Sequence, residues 1–141
     1  MSETDATNNM ATARRLCEQW PWLTQAEFRE IIAADCLYSD VPTPAYTVTG
    51  PDAAHAKLSP LKDDWDIAFE IRTISGSADV VFVERLETFH NKSGAVEDCH
   101  LPVVGVFEFA GGKIKAWRDY WNLADAQPLM AFAAKKREEA R

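Results

Sequence analysis

The feature that most constrains the fold is a run of alternating side chains that starts at Asp79. Neighbouring side chains of a strand point to opposite faces. One face of this run therefore combines apolar residues with two charges: Val81, Val83, Arg85, Glu87 and Phe89. Burying a charge without a partner is costly in free energy. The pattern predicts a strand whose two charges are paired, or used for chemistry, inside an apolar pocket.

A third charge of this kind occurs in a later strand-like segment. Alternation places Asp119 between Trp117 and Trp121 on one face. We expect Asp119 to meet Arg85 and Glu87 inside the same pocket. The alternatives are an ordinary Arg85–Glu87 ion pair on a solvated face and, for Asp119, a structural salt bridge to an arginine.

The composition limits the kind of protein and the kind of partner. The chain has 141 residues, of which 47 % are hydrophobic and 11 % aromatic, with a formal net charge of −7. These values predict a globular domain with room for a cavity, and they argue against nucleic acid or an anionic membrane as partner. No apolar run is long enough to span a bilayer, and the polar N-terminus is unlike a targeting peptide. The cysteines and histidines lack metal-ligand or disulfide spacing, so we expect a reduced, cytoplasmic protein without metal or cofactor.

Hydrophobic periodicity, turn residues and capping patterns divide the chain into helices followed by long strands. Residues 1–9 are expected to form a mobile tail and residues 10–141 a single domain. The expected elements are helices over residues 10–20, from Thr24, over 51–61 and from Leu123, and strands over 36–41, 67–72, 79–90, 96–109 and 113–122. This order is typical of an α+β fold in which helices cover a curved, mostly antiparallel sheet.

Four segments resemble, in order and at compatible spacing, motifs of the limonene-1,2-epoxide hydrolase family. Residues 37–42 resemble its Tyr-x-Asn-x-Pro strand, 84–87 its Glu-Arg-x-Asp, 104–107 its Leu-Gly-Val-Phe, and 112–121 its Gly-Lys-Ile-x-x-Trp-Arg-Asp-Tyr-Phe. The resemblance implies the cone-shaped α+β fold that this family shares with ketosteroid isomerase and SnoaL-like polyketide cyclases. It also implies a homodimer that uses the open face of the sheet.

The resemblance further implies cofactor-free addition of water to a small lipophilic epoxide in one step. Asp119 matches the base that deprotonates the water, Arg85 the bridge, and Glu87 the acid that protonates the epoxide oxygen. Tyr38 matches the tyrosine that positions the water. Two of the implied site positions depart from the family pattern, since Glu87 replaces an Asp and Asp40 replaces an Asn. Asp40 is the larger change, because an Asn amide donates hydrogen bonds and a carboxylate does not.

Asp40 also supports an alternative function. Three carboxylates, Asp40, Glu87 and Asp119, would face one guanidinium in a shared cavity, so at least one pKa is expected to be raised. A neutral acid beside an ionised carboxylate suits both epoxide opening and enolisation. Ketosteroid isomerase has its Asp base on the corresponding early strand, so Asp40 favours a proton-transfer enzyme of the isomerase or polyketide-cyclase kind. A non-catalytic small-molecule-binding domain is the third hypothesis.

Several residues have a structural interpretation beside the functional one. Asp40 is also suited to cap the turn at Pro42, and Tyr38 to be a core residue with a satisfied hydroxyl. Seven apolar residues are candidates to line a substrate pocket, although they fit a core equally well: Leu61, Trp65, Ile67, Phe89, Leu101, Val103 and Trp121. A pocket filled by side chains, or charges that face solvent, would favour the binding domain.

Overall fold

Five helices and a six-stranded sheet make up the part of the chain that the computed structural model describes, residues 3–141. The helices are α1 (Glu3–Gln19), α2 (Gln25–Ile31), α3 (Pro51–Leu58), α4 (Leu61–Asp64) and α5 (Gln127–Glu139), and a 3-10 helix spans Pro44–Tyr46. The strands are β1 (Ile32–Asp40), β2 (Val48–Thr49), β3 (Trp65–Gly76), β4 (Val80–Asn91), β5 (Cys99–Ala110) and β6 (Lys113–Tyr120). None of the helices in this range combines the length and apolar character needed to cross a bilayer.

The strands form one sheet in the order β2-β1-β6-β5-β4-β3. β1 runs parallel to β6, and every other neighbouring pair is antiparallel. The register shifts between Ile71 and Thr73 in β3 and between Glu108 and Phe109 in β5. Irregularities of this kind bend a sheet and increase its twist. The predicted α+β class with a curved, mostly antiparallel sheet is confirmed.

One face of β4 packs against helix α1 and carries the alternating residues. Val81 and Val83 on this face are fully buried, Arg85 is 1 % exposed and Glu87 is 6 % exposed. On the opposite face Phe82 is 48 % exposed. The predicted alternation in β4 is confirmed, and both charges lie on the buried side of the sheet.

Helix α1 begins earlier than the sequence pattern predicts. Residues 3–9, which were expected to form a mobile tail, are the first turns of this helix, and residues 1 and 2 lie outside the described part of the chain. Asn9 is 5 % exposed, and its Nδ2 donates a hydrogen bond to the backbone O of Ala78 at 2.8 Å. Two acidic side chains occupy the first turn, where negative charge favours the helix dipole. Because these interactions are polar, residues 3–9 show no apolar periodicity from which this part of the helix could be predicted.

Other element boundaries differ by a few residues. The helix predicted over residues 51–61 is divided into α3 and α4 at Ser59 and Pro60, because proline lacks the N–H that a continuous helix requires. β1 begins directly after α2, earlier than residue 36, and α5 begins at Gln127 and not near Leu123. The predicted start of α2 at Thr24 is confirmed by a complete capping box with Glu27.

Candidate active site

Arg85 holds two carboxylates in one buried cluster. Its Nε donates a hydrogen bond to Glu87 Oε2 at 2.9 Å, and its Nη2 donates one to Asp119 Oδ2 at 2.9 Å. The Arg85 side chain is 1 % exposed, and the two carboxylate side chains are 8 % and 7 % exposed. The structure therefore brings together the three residues that the alternating patterns selected. The alternative of a solvated Arg85–Glu87 pair is wrong.

The cluster joins β4 to β6 across β5, and Gly105 makes the space for it. In the sheet Gly105 of β5 lies opposite Asp119. A Cβ at this position would lie 2.9 Å from Arg85 Nη1, 2.9 Å from Asp119 Oδ1 and 2.6 Å from the Phe107 ring. Any side chain at position 105 would displace the cluster. Sequence reasoning did not single out Gly105, although a glycine inside a strand is a known sign of a close approach.

Asp119 is the carboxylate whose protonation is most strongly altered by its surroundings. Trp117 Nε1 donates a hydrogen bond to its Oδ1 at 2.9 Å, so both carboxylate oxygens are fixed. Burial raises the pKa of Asp119 to about 6, and the negative charges of Asp40 and Glu87 add to the rise, whereas Arg85 opposes it. The expected rise in pKa within the cluster is found here. At neutral pH Asp119 is mainly ionised and more basic than an ordinary carboxylate.

Tyr38 packs beside this carboxylate because β1 and β6 run parallel. The pairing places Tyr38 next to Trp117 and Asp40 next to Asp119. The Tyr38 ring stacks on the Trp117 ring with centroids 3.8 Å apart, and its hydroxyl donates a long hydrogen bond of 3.4 Å to Asp40 Oδ2. Burial, followed by the nearby carboxylates, raises the pKa of Tyr38 well above its usual value. The hydroxyl thus remains protonated and able to donate.

Asp40 points into the site and has both of its carboxylate oxygens engaged. Lys57 Nζ on α3 donates a hydrogen bond to Oδ2 at 2.8 Å, and Trp121 Nε1 donates one to Oδ1 at 2.9 Å. Only the backbone O of Asp40 takes part in the following turn, where it accepts from the N–H of Thr43 at 2.9 Å. Among residues 3–141, the side chain of Asp40 therefore does not cap the turn at Pro42. Sequence reasoning missed Lys57, which lies seventeen residues along the chain on a helix.

A cavity of about 100 Å³ opens next to these groups. Its polar wall consists of Tyr38, Asp40, Glu87 and Asp119, while Arg85 lies behind the carboxylates and does not line it. Four of the seven predicted lining residues contribute to the apolar wall: Leu61, Leu101, Val103 and Trp121. The rest of the apolar wall was missed by the sequence analysis and consists of Trp20, Leu58, Trp117 and Leu129. Leu129 belongs to α5, so the last helix closes one side of the cavity.

The other three predicted lining residues belong to the core. The Trp65 ring packs against Phe89 at 6.1 Å and against Phe132 at 5.4 Å, and Phe89 also lies near Trp20. Ile67 pairs with Phe89 across β3 and β4 and is 9 % exposed. Alternation identifies which face of a strand a residue occupies. It does not tell how far along the strand the cavity extends, and these three residues do not line it.

A comparison of the sequence with models of known families identifies the family of this chain. The model of the limonene-1,2-epoxide hydrolase catalytic domain matches residues 22–131. The chain belongs to this family. The matched range contains every polar residue of the cavity wall, and it confirms the resemblance that the four sequence motifs suggested. Within the limonene-1,2-epoxide hydrolase pattern, Glu87 and Asp40 remain the two departures among the proposed catalytic residues.

Solved structures show the fold at low sequence identity. An epoxide hydrolase from M. tuberculosis described as LEH-like superposes with a TM-score of 0.72 at 19 % identity, over 93 % of this chain and 98 % of that chain. A proposed SnoaL-like polyketide cyclase from a Jannaschia species gives 0.72 at 18 %, over 90 % and 94 %. A protein with a ketosteroid isomerase-like fold from Catenulispora acidiphila, solved with trimethylamine, gives 0.69 at 21 %, over 81 % and 87 %. The limonene-1,2-epoxide hydrolase family member described here thus has the expected cone-shaped α+β fold.

Proposed function

We propose that this protein is a cofactor-free epoxide hydrolase that adds water to a small lipophilic epoxide in one step. The observation that carries the proposal is Arg85, which bonds Glu87 and Asp119 at 2.9 Å each beside an aromatic cavity. In this proposal Asp119 is the base, Arg85 the bridge and Glu87 the acid. Family membership supports the reaction type.

Each group has a defined part in the proposed step. Asp119 removes a proton from a water molecule while the water oxygen bonds to an epoxide carbon. The carbon–oxygen bond of the ring breaks, and its electron pair takes a proton from the carboxyl group of Glu87. The product is a diol, and the proton gained by Asp119 returns to Glu87 before the next turnover. Arg85 stays charged throughout and keeps the two carboxyl groups at a fixed separation.

The pKa of Asp119 suits the role of base. An ideal general base has a pKa close to the working pH, since it must be ionised and still bind a proton well. Burial raises the pKa of Asp119 to about 6, which meets both conditions near neutral pH. Tyr38 and Asp40 face the same cavity and are proposed to hold the attacking water.

The size of the cavity sets the substrate class. Its volume is about 100 Å³, whereas an engineered cavity of about 150 Å³ in another protein holds benzene. Its walls include three tryptophan rings, Trp20, Trp117 and Trp121. We therefore propose a compact aliphatic epoxide as the substrate.

The proton-transfer alternative receives less support. That reaction would use Asp40 as the base, but Lys57 and Trp121 already donate hydrogen bonds to both of its oxygens. Asp119 also accepts hydrogen bonds on both oxygens, but burial raises its pKa to about 6. Asp119, next to the same cavity, has the more suitable surroundings for a base.

A second candidate function is the binding of a small organic cation without catalysis. Three tryptophan rings and three carboxylates line the cavity, and aromatic faces together with negative charge favour an alkylated ammonium group. The relative from Catenulispora acidiphila was solved with trimethylamine. Family membership and the pair of carboxyl groups held by Arg85 favour the hydrolase over this function.

We also propose that the protein forms a homodimer through the open face of the sheet. This face carries exposed apolar side chains on four strands: Leu37 (54 % exposed), Phe82 (48 %), Val104 (39 %) and Tyr120 (44 %). Val104 pairs with Tyr120 across β5 and β6, so the exposed apolar surface is continuous there. Patches of this kind are typical of protein–protein interfaces.

Hydrolysis of a series of aliphatic epoxides of increasing size tests the proposed function. The wild type, Asp119→Asn and Glu87→Gln are compared, with Asp98→Asn as a control at an exposed carboxylate whose partner is His90. We expect the first two variants to lose roughly a hundredfold or more in kcat/KM and the control to be unaffected. Equal rates for the wild type and Asp119→Asn would overturn the hydrolase. Binding of trimethylamine by calorimetry, with no epoxide turnover, would favour the second candidate.

A further inference from the structure

The ammonium group of Lys57 lies next to Asp40 but has no role in the proposed step. Its Nζ lies 2.8 Å from Asp40 Oδ2, 3.2 Å from the backbone O of Tyr46 and 4.4 Å from the centroid of the Tyr38 ring. The Lys57 side chain is 22 % exposed and that of Asp40 is 15 % exposed. Lys57 does not line the cavity itself. Its contacts with the cavity wall are therefore those with Asp40 and Tyr38.

We propose that Lys57 is a positioning residue that makes Asp40 serve in the place of the family's asparagine. This inference rests on the proposed hydrolase function. An asparagine at position 40 would be neutral and would need no counter-charge. Asp40 is negative, and the Lys57 ammonium group makes the pair neutral. Trp121, which stands where the family motif has Phe, fixes the second oxygen through its indole N–H.

The charges around Asp119 give the reason why such a counter-charge matters. The charged and titratable groups that act on Asp119 come from four elements: Tyr38 and Asp40 on β1, Arg85 and Glu87 on β4, Cys17 on α1 and, through Asp40, Lys57 on α3. The Cys17 thiol is neutral, because burial raises its pKa to about 12. Without Lys57, the carboxyl groups of Asp40, Glu87 and Asp119 would face one guanidinium, that of Arg85. The negative charge of Asp40 already raises the pKa of Asp119, and removing Lys57 would raise it further.

A purely mechanical role for Lys57 is the competing explanation. The Lys57–Asp40 pair also fastens α3 to β1. A second ion pair holds the same helix, since Arg29 on α2 bonds the Asp52 carboxylate on α3 at 2.8 Å and 3.0 Å. That pair lies outside the catalytic cavity. Arg29→Met is therefore a matched control that loosens α3 without changing the charges next to Asp119.

A double-mutant cycle in the full-length protein tests the inference. The variants are Lys57→Met, Asp40→Asn and the combination of both. We expect Lys57→Met alone to lower kcat/KM for epoxide opening roughly a hundredfold and to move the acid limb of the pH–rate profile to higher pH. The double variant, which recreates the family's neutral residue, should recover to within about tenfold of the wild type. Arg29→Met should leave the pH profile unchanged.

Two results would overturn the inference. One is a Lys57→Met variant whose pH profile equals that of the wild type, and the other is a double variant as impaired as Lys57→Met. If Lys57→Met does not fold, Lys57→Gln replaces it, since Gln keeps an amide donor without the charge. The same criteria then apply to Lys57→Gln.

A second measurement separates this inference from the proposed function. Carbon-13 NMR follows the titration of the Asp119 carboxyl group in each variant, whether or not an epoxide is hydrolysed. We expect the midpoint to rise above the wild-type value in Lys57→Met and to fall below it in the double variant. Equal midpoints in all variants would overturn the role of Lys57. A failure of epoxide turnover together with shifted midpoints would overturn only the hydrolase.

Discussion

Arg85 Nη2 donates a hydrogen bond to Asp119 Oδ2 at 2.9 Å, and this bond connects β4 with β6 over the strand between them. The pair is buried, so the attraction between the charges is opposed by the loss of hydration. For Asp119 the loss of hydration is the larger effect, because the pKa is raised to about 6 despite the neighbouring guanidinium. The fold thus keeps a basic carboxylate in apolar surroundings at a cost in stability, which is common at catalytic sites.

A substitution at Gly105 tests whether the cluster needs the space that this glycine leaves. Gly105→Ala would place a Cβ 2.9 Å from both Arg85 Nη1 and Asp119 Oδ1. We expect a loss of about 1–3 kcal/mol in the free energy of unfolding from overpacking. Displacement of the cluster should also lower kcat/KM roughly a hundredfold. Urea unfolding and epoxide kinetics measure the two effects.

His100→Ala on the same strand is the control for Gly105→Ala, because its side chain is exposed. It should change the free energy of unfolding by no more than about 0.5 kcal/mol and leave the kinetics unaffected. An active Gly105→Ala variant of normal stability would contradict the account of how the cluster is accommodated.

The pH dependence of stability should reveal the buried Asp119. Its pKa rises from 3.8 in the unfolded chain to about 6 in the folded protein, so the folded state binds this proton more tightly. The stabilising contribution is complete below the unfolded pKa and is lost as the pH increases through about 6. It amounts to about 3 kcal/mol.

A comparison with Asp119→Asn isolates this contribution from the rest of the chain. The free energy of unfolding of the wild type, relative to the variant, should fall by about 2 kcal/mol between about pH 4 and pH 7. Urea denaturation at both pH values measures it. A relative stability that is independent of pH, or that increases with pH, would contradict the raised pKa.

The cavity wall predicts a change of substrate size. Leu58→Ala removes part of the wall that α3 contributes. We expect a loss of about 2–5 kcal/mol in the free energy of unfolding and a shift of the preferred epoxide towards longer chains. Leu16→Ala is the matched control, since Leu16 is fully buried and does not line the cavity. The ratio of kcat/KM for long and short epoxides should change in the first variant and remain constant in the second.

The open face of the sheet predicts the oligomeric state. Val104→Glu places a charge next to Tyr120, in the middle of the exposed apolar surface. We expect this variant to sediment as a monomer where the wild type sediments as a dimer, because burying an unpaired charge in an interface is costly. Trp22→Glu, at a 56 % exposed side chain between α1 and α2, should remain dimeric. A monomeric wild type would contradict the proposed interface.

The central cluster was predictable because it leaves a local pattern. Alternation in β4 placed Arg85 and Glu87 on an otherwise apolar face, and the flanking Trp117 and Trp121 did the same for Asp119. A charge on an apolar face must find a partner, so the meeting of these residues followed from physical reasoning. The antiparallel order β6-β5-β4 then provided the short distance across the sheet.

The residues that sequence reasoning missed act through contacts without a periodic pattern. Lys57 lies on a helix and reaches Asp40 from another element, and Gly105 acts by the absence of a side chain. The side chains of Trp65 and Phe89 lie on the predicted face of their strands but do not line the cavity. Their positions depend on how the curved sheet and α5 pack together. A strand pattern contains no information on that packing.

A single-turnover reaction in oxygen-18 water tests the central claim most directly. Enzyme in excess converts one equivalent of a compact aliphatic epoxide, and mass spectrometry follows the label in the diol and in the protein. The proposed direct attack by water predicts a labelled diol in the first turnover, no label in the protein, and loss of the reaction in Asp119→Asn. An unlabelled first-turnover diol, with oxygen lost from the Asp119 or Glu87 carboxylate, would contradict it.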